Sequence, residues 1–403
     1  MTSSTTTSGA TVTPTVRDPR LDFYRGVAMF IILMAHTPGN WWNAWIPARF
    51  GLSDAAEIFV FCSGMASAVA FGRTYERRGW MLGTARIGFR VWQIYWAHIA
   101  TFLLTVAVLA AIDTYGDFEK NYIAGLNLGR FVNETGPQIV GLFTLTYVPN
   151  FFDILPMYMV ILLMVPIVMA LSNINLWLVT AFVGVTWFLG QGGLLDWIGI
   201  SWIQIGLPAE PWSNREWFFN PFAWQLVFFT GFALMIGWIP APPINRYTIT
   251  LCAIGLLGGF LVSIVASREL GLSWVNSWKA ENRMWLGKSD EGILRYLHFL
   301  AVAYFGWAIV GPNGRNIIAT GNSILAKIWR GIVKLLTKVG QQSLAVFLST
   351  VVLSRILGFT IDQTGNGAVA IALVNIAGFA AILAVAYLAS WIKSQPWRGN
   401  VKS

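Results

Sequence analysis

Ten long apolar runs constrain the fold of this 403-residue chain more than any other feature. A helix that crosses the hydrocarbon core of a bilayer needs roughly 20 apolar residues. The runs cover approximately residues 23–38, 55–72, 87–111, 152–171, 175–190, 218–238, 247–266, 292–310, 341–358 and 368–392. Only 11% of all residues are charged, whereas a soluble chain has about a quarter. The sequence therefore predicts an all-α polytopic membrane protein with about ten transmembrane helices.

The distribution of charge predicts the orientation of these helices. With a cytoplasmic N-terminus, the inside segments hold 17 of the 27 Lys and Arg residues and 3 of the 18 Asp and Glu residues. An excess of basic residues on the cytoplasmic side follows the positive-inside rule. Both termini are therefore predicted to be cytoplasmic. The net charge of +9 then reflects topology rather than nucleic-acid binding, with membrane lipids or a phosphorylated cytoplasmic ligand as further partners.

The polar ends of the chain are predicted to be tails rather than domains. Residues 1–20 lack the basic and apolar regions of a cleaved signal peptide and are expected to form a disordered cytoplasmic tail. Residues 21–393 are expected to form a single ten-helix domain, followed by a cytoplasmic tail at residues 394–403. Because Cys62 and Cys252 both lie in apolar runs, neither a disulfide framework nor a metal site is expected.

Four longer polar segments connect the predicted helices. Residues 112–150, 191–217 and 267–291 lie outside on this topology and are rich in Trp, Asn and acidic residues. Trp and Tyr favour the membrane interface, so these rings form either an aromatic belt or a sugar-binding surface. On the inside, residues 311–340 contain a basic amphipathic stretch that is predicted to lie on the inner leaflet.

Ionisable residues at bilayer depth are costly and are therefore functional candidates. In the first run, "LDFYRGVAMFIILMAH", a rotation of about 100° per residue places Asp22, Arg25 and His36 on one stripe facing the bundle interior. A rise of about 1.5 Å per residue separates His36 from Arg25 by roughly 16 Å along the axis. The guanidinium is predicted at the cytoplasmic mouth and the imidazole deeper, toward the outer half.

Two acidic residues begin the second run from the outer side, at a depth close to that of His36. A carboxylate of Asp54 or Glu57 can orient the imidazole and raise its basicity. The alternative is that both acids only stabilise a helix N-terminus, with Ser53 as its N-cap. The two interpretations are equally supported for Asp54, whereas the deeper position of Glu57 favours a functional role.

Further polar candidates lie on other helices. Arg86 and Arg90 begin the third helix on one side and, with Arg25, can bind an anionic ligand through forked donors. The alternative is anchoring by snorkelling side chains. Fainter candidates are Asn150 and Asp153 before the fourth helix, Gln225 in the sixth, and Glu291, Arg295 and His298 in the eighth. Helix packing is the favoured explanation of His298, and His98 is predicted to be structural.

Acyl transfer to a hydroxyl group is one reaction with which this pattern is consistent. Motifs of soluble nucleotide-binding, zinc and serine enzymes are absent from the sequence. A deep histidine, with carboxylates on one side and arginines on the other, can abstract a proton from a hydroxyl group. The resulting alkoxide can attack a thioester whose charged nucleotide end is held by arginines in the cytoplasm.

In these residues the chain resembles the integral membrane acyltransferases of the acyltransferase 3-like superfamily. The broad group is indicated by Arg25, ten residues and then His36, and by the pair Arg86 and Arg90, spaced one residue wider than the usual RxxR. Within the group the chain is most similar to the OpgC type, the succinyltransferase of osmoregulated periplasmic glucans. The stretches that carry this similarity are "LDFYRGVAMFIILMAHTPGNWW", "FVFCSG", "FTLTYVPNFFDILPMYMVILLMVP", "FNPFAWQLVFFTG", "LRYLHFLAVAY" and "GQQSLAVF".

The resemblance implies a multi-pass enzyme of the bacterial inner membrane. It would transfer an acyl group, succinyl from cytoplasmic succinyl-CoA, to hydroxyls of a periplasmic glucan, with no metal. His36 would carry the proton transfer, with Asp54 or Glu57 in support. The implied contacts with CoA are Arg25, Arg86 and Arg90, and the substrate-binding candidates are Asn150, Asp153, Gln225, His298 and Arg295, the last for the succinate carboxylate.

Other functions remain open at this stage. The acyl group could be acetyl or another group, and the acceptor another surface polysaccharide. A glycan or acyl-donor transporter is less favoured, because the first-helix pattern has no second copy of the kind that repeated transporter halves show. A non-catalytic assembly subunit would leave the polar stripe of the first helix unexplained. The sequence makes no prediction of oligomeric state.

Overall fold

The computed structural model describes residues 19–116 and 118–398, and within them every regular element is helical apart from an isolated β-bridge between Pro208 and Glu216. The α-helices are α1 Pro19–His36, α2 Ala55–Ser67, α3 Arg73–Tyr115, α4 Gly129–Asn133, α5 Thr135–Thr144, α6 Ile154–Ser172, α7 Leu176–Leu189, α8 Gly192–Trp197, α9 Pro221–Ile236, α10 Arg246–Leu261, α11 Ile264–Arg268, α12 Trp274–Glu281, α13 Arg283–Leu286, α14 Ile293–Val310, α15 Ile324–Gln341, α16 Ser343–Thr364 and α17 Ala368–Ser394. A π-helix, Ala68–Gly72, joins α2 to α3, and short 3-10 helices lie at Trp41–Trp45, Pro47–Arg49, Ala124–Leu126, Ser201–Ile203 and Pro312–Gly314. The predicted all-α class is confirmed.

All ten predicted runs coincide with helices. In chain order these are α1, α2 with its π-helix, α3, α6, α7, α9, α10, α14, α16 and α17. Within the described residues, five helical stretches are long and apolar enough to cross a membrane: Ala55–Tyr115, Ile154–Ser172, Ile293–Val310, Ser343–Thr364 and Ala368–Ser394. The first stretch contains two of the predicted runs. The chain is therefore a helical membrane protein, and ten crossings with cytoplasmic termini stay a prediction.

The boundaries of the predicted tails differ slightly from the structure. Residues 1–18 lie outside the described residues, but Pro19 and Arg20, assigned to the disordered tail, begin α1. At the other end α17 extends through Ser394, and residues 399–403 lie outside the described residues. Helix α1 is thus longer at its start than the apolar run alone predicts.

The predicted inside loop between the second and third runs is helical but sharply bent. The bend lies at Gly79, whose φ of +79° is in the left-handed region that glycine adopts without a steric penalty. A short helical segment from Arg73 to Arg78 therefore precedes the bend, and the long part of α3 follows it. The bend folds these two parts toward each other, which matters for the basic cavity described below.

The core lies mainly among α1, α2, α6, α9, α16 and α17. Trp224 and Phe228 of α9 are fully buried there, together with Met29 of α1. In contrast, α10 leaves Leu251 and Leu257 exposed by 70% and 58%. Apolar side chains on the outside of a helix bundle are expected where it contacts lipid.

Helices α1 and α15 approach so closely that each needs a glycine at the contact. A Cβ at Gly26 would overlap the carbonyl oxygen of Leu336, and a Cβ at Gly340 would overlap that of Asp22. Small residues allow helix backbones to come this close. Helix α15 is the predicted basic amphipathic stretch, and this contact fixes it against the helix that ends at His36. Its position on the inner leaflet stays a prediction.

Replacing Gly340 with Ala is expected to destabilise the protein, because the added methyl group must displace the backbone of α1. Overpacking of this kind costs about 1–3 kcal/mol. The matched control is Gly331→Ala, since Gly331 lies on the same helix with open space where its Cβ would be. This control is expected to be neutral or stabilising by about 0.5–1 kcal/mol. Thermal melting of both purified variants checks the prediction, and equal melting temperatures would contradict it.

Candidate active site

His36 is the last residue of α1, and the helix backbone orients its ring. The Nδ1 atom lies 2.9 Å from the carbonyl oxygen of Ile32, one turn earlier. Because a carbonyl only accepts hydrogen bonds, the proton of the neutral ring lies on Nδ1 and Nε2 is an acceptor. Within the described residues Nε2 has no hydrogen-bond partner. A general base needs this arrangement, with one nitrogen fixed and the other able to take a proton.

Two side chains that sequence reasoning missed lie beside His36. The ring of Phe151 packs edge-on against the imidazole, with centroids 5.5 Å apart. The guanidinium of Arg355 lies 4.7 Å from the centroid of the same ring and donates a hydrogen bond to the carbonyl oxygen of His36. Arg355 could have been found from the sequence, because it is a lone charge in the apolar stretch "LAVFLSTVVLSRILGF".

The backbone of Phe151 has an uncommon conformation. Its φ is +74°, which is rare for a bulky side chain and is found most often at functional sites. The next residue, Phe152, is buried in the core, whereas Phe151 remains 46% exposed. The left-handed turn therefore directs the Phe151 ring toward His36 and Arg355 instead of the core.

Asp54 and Glu57 form the N-terminal cap of α2. The Asp54 side chain accepts a hydrogen bond from the Ala56 amide at 2.7 Å, and Glu57 accepts one from the Asp54 amide at 2.9 Å. This reciprocal pair is a capping box. The N-cap is therefore Asp54, and the expectation that Ser53 caps this helix is wrong. The helix-stabilising interpretation of these acids applies to both of them.

The same two acids also belong to a buried ionic cluster. Lys288 binds the carboxylate of Asp54, and Arg295 lies 3.4 Å from Asp54, against Glu57 and 3.7 Å from Glu291. Glu57 and Glu291 are completely buried. Burial raises the pKa of Asp54, but the opposing effects of Lys288 and Arg295 are larger together and leave it below its usual value. Arg295, the candidate for the succinate carboxylate, is thus surrounded by the protein's own acids.

This ionic cluster has no hydrogen bond with His36. Among the described residues, neither Asp54 nor Glu57 forms a hydrogen bond with the imidazole. The carbonyl of Ile32 orients the ring in their place. A catalytic role of either acid stays a prediction, and the geometry gives neither of them a direct contact through which to orient the ring.

His298 forms packing contacts in the bundle, and substrate binding by it stays a prediction. Its Nδ1 accepts a hydrogen bond from the Ser53 amide at 3.3 Å and lies 2.8 Å from the Ser53 hydroxyl. A Cβ at Gly51 or Gly259 would overlap the imidazole. His298 therefore ties α14 to α10 and to the loop before α2.

The other substrate-binding candidates hold structural contacts. Gln225 donates a 2.8 Å hydrogen bond to a carbonyl of α7. Asn150 accepts one from Arg215 at 3.3 Å, and Asp153 accepts one from the Phe218 amide at 2.8 Å. Asn150 and Asp153 flank the segment that carries Phe151, so they help to fix its position. Substrate binding by these residues stays a prediction.

A basic cavity of about 420 Å³ lies at the opposite end of α2. It is lined by Val69, Ala70, Arg73, Thr74, Arg77, Arg78 and Arg86. Arg86 lies after the Gly79 bend and donates a hydrogen bond to the hydroxyl of Thr74, which lies before it. Four guanidinium groups around one opening suit a ligand with several phosphates. From the sequence alone, three of the four, in "RTYERRGW", indicate only the orientation of the helices.

The structure does not bring the three predicted CoA-binding arginines together. Arg86 lines the basic cavity, but Arg25 donates a hydrogen bond to Ser343 at the start of α16. Arg90 is exposed and donates a 3.1 Å hydrogen bond to Gln93. Neither is among the residues that line the cavity.

The basic cavity and His36 lie at opposite ends of the bundle. Residues 55–72 connect the ionic cluster to the cavity and correspond to roughly 27 Å of helix at 1.5 Å per residue. That length is close to the hydrocarbon thickness of a bilayer, about 30 Å. The cavity and the ionic cluster are therefore separated by about the length of helix that one membrane crossing needs.

Comparison with known proteins shows to which family the chain belongs. A family model described as OpgC protein matches residues 17–394, nearly the whole chain. The chain belongs to the OpgC family. Membership indicates an acyltransferase-type role in the modification of periplasmic glucans and agrees with the membrane-type helices. No curated protein and no solved structure matches the chain.

The tryptophans of the outer segments of this OpgC-family chain differ in exposure. Trp202, Trp197 and Trp274 are exposed by 83%, 68% and 51%, whereas Trp217 is buried. Trp212, Trp278 and Trp285 are half-buried. A sugar-binding surface or an aromatic belt stays a prediction for the exposed and half-buried rings.

Neutralising two residues of the basic cavity is expected to weaken the binding of CoA. A hydrogen bond to a charged group contributes about 1.5–3 kcal/mol, so Arg77→Gln with Arg78→Gln should raise the Kd at least about tenfold. Calorimetric titration of CoA into the purified protein measures this. Arg268→Gln changes an exposed arginine of α11 and serves as the control. An unchanged Kd in the double variant would contradict a polyanion site in this cavity.

Proposed function

We propose that this OpgC-family protein is a transmembrane O-acyltransferase that moves succinyl from cytoplasmic succinyl-CoA to hydroxyls of periplasmic glucans. The observation that carries the proposal is the orientation of His36. Its Nδ1 is held by the Ile32 carbonyl, which makes Nε2 the acceptor. In a chain of an acyltransferase family, an oriented and uncommitted imidazole nitrogen supports the role of general base.

The proposed reaction has one proton acceptor and one leaving group. Nε2 of His36 takes the proton from a glucan hydroxyl while the oxygen attacks the thioester carbonyl carbon. A C–O bond forms, the C–S bond breaks, and the sulfur of CoA leaves with the proton that the imidazolium returns. Each turnover therefore produces one acyl ester and one free thiol, and His36 ends neutral. Arg355 and Phe151 border the space in which this exchange takes place.

The basic cavity supports a cytoplasmic site for the donor. Its four arginines, Arg73, Arg77, Arg78 and Arg86, suit the phosphates of CoA. The uncharged arm of the donor would then follow the apolar interior along α2 toward His36. This assignment replaces Arg25 and Arg90 in the proposed donor site, because neither lines the cavity.

The direction of the helices supports the proposed topology. Arg25 contacts Ser343 and His36 contacts Arg355, so α1 and α16 run in the same direction. The first and ninth spans of a ten-span bundle must be parallel in this way. Parallel first and ninth spans agree with two cytoplasmic termini and a multi-pass location in the bacterial inner membrane.

Replacing His36 with Ala is expected to abolish acylation, because general-base catalysis typically contributes about 10²–10⁴-fold to the rate. Mass spectrometry of periplasmic glucans from cells with the wild-type protein, with His36→Ala and without the protein measures the transfer. Glucans from cells with the wild-type protein should carry succinyl mass increments, and glucans from the other two strains should lack them. Arg268→Gln, compared at equal protein level, is expected to retain them. Wild-type acylation in the His36→Ala strain would contradict the proposal, and an acetyl increment would correct the acyl group.

A further inference from the structure

Arg355 differs from the other cations near His36 because no acid of the described residues neutralises it. Its side chain donates hydrogen bonds to the carbonyl oxygen of His36 and, at 3.4 Å, to the hydroxyl of Ser354. Lys288 is bound by Asp54, and Arg295 is surrounded by three carboxylates. A cation held midway along an apolar helix without a counter-ion is costly. An anionic group of a ligand would remove that cost.

Arg355 lies close to the imidazole of His36, the reacting group of the proposed function. Phe151 contacts both residues, and its ring centroid is 5.5 Å from the centroid of the imidazole and 4.7 Å from the guanidinium carbon. The two groups are therefore at most about 10 Å apart. A short acyl group whose carbonyl lies at His36 can place its far end at the guanidinium.

The guanidinium also retains donors for a ligand. An arginine has five N–H donors, and the two hydrogen bonds above use the Nε and one N–H of a terminal nitrogen. The remaining donors form a planar fork, which matches a carboxylate better than a single negative oxygen. The backbone carbonyl of His36 fixes this fork relative to the base.

We propose that Arg355 binds the carboxylate at the far end of the transferred acyl group and so makes the protein selective for acyl donors that end in a carboxylate. This inference rests on the proposed acyltransferase function and adds the residue that selects the donor. It also replaces Arg295 in the role that the family resemblance suggested, since Arg295 is already neutralised.

The main competing role for Arg355 is stabilisation of the oxyanion that forms at the thioester carbonyl. The two roles differ in their dependence on the donor. An oxyanion forms with every acyl group, so its loss would slow acetyl and succinyl transfer equally. A carboxylate contact is made only by succinyl, so its loss would slow succinyl transfer alone.

The experiment compares kcat/KM for succinyl-CoA and acetyl-CoA in the wild type, Arg355→Gln and the control Arg268→Gln, using purified protein and a glucan acceptor. Arg355→Gln is expected to lower kcat/KM for succinyl-CoA roughly tenfold to hundredfold, from the loss of a charged hydrogen-bonded contact. Its kcat/KM for acetyl-CoA should stay within about twofold of the wild-type value, because acetyl has no carboxylate to contact Arg355. Retained acetyl transfer also shows that the variant is folded.

Three results would overturn the inference. They are an equal fall in the kcat/KM of Arg355→Gln for both donors, no fall for either donor, and a wild-type protein that does not prefer succinyl-CoA to acetyl-CoA. If Arg355→Gln fails to fold, Arg355→Lys is measured instead, and it should raise KM for succinyl-CoA while its acetyl transfer is unchanged. A wild type that transfers from no CoA donor would instead refute the proposed function, so the two failures are distinguishable.

Discussion

A charge buried in an apolar helix bundle is costly unless an opposite charge neutralises it. The arrangement of side chains near His36 depends on which of the charges there are paired. Lys288 and Arg295 are matched by Asp54, Glu57 and Glu291, so these five residues form a closed cluster that joins α2 to the start of α14. Removing one partner of a buried ion pair typically costs about 3–5 kcal/mol, so these pairs hold α2 and the start of α14 together. Arg355 lies outside this cluster and, in the proposed function, its charge binds a ligand beside His36, whose imidazole the Ile32 carbonyl orients.

Two groups of side chains lie apart along α2. Four arginines line the basic cavity around the Gly79 bend, while the oriented imidazole of His36 lies at the other end of the helix. In the proposed function, a donor that is charged at one end and reactive at the other uses both places at once. The proposed reaction then joins a cytoplasmic donor to an acceptor on the far side without requiring either to cross the membrane.

The sequence predicted the features that depend on short stretches of chain. Ten apolar runs correctly marked ten helices, and a helix N-terminus was one of the two explanations that the sequence offered for Asp54 and Glu57, although it placed the cap at Ser53 instead of Asp54. Contacts between distant residues were not predictable in this way. Arg355 meets His36 across 319 residues, the arginine cavity depends on the left-handed φ of Gly79, and the orientation of Phe151 depends on its own positive φ. The family resemblance supplied the chemistry, but packing decided which arginines meet.

The central claim is that acyl transfer takes place across the bilayer, and sealed proteoliposomes test it most directly. Glucan is enclosed in the vesicles, labelled succinyl-CoA is added outside, and the fraction of protein with its basic cavity outward is determined by protease protection. The account predicts labelled glucan inside intact vesicles, in an amount that follows the outward-cavity fraction, while the donor remains outside. Labelling only when glucan and donor share a compartment would contradict it.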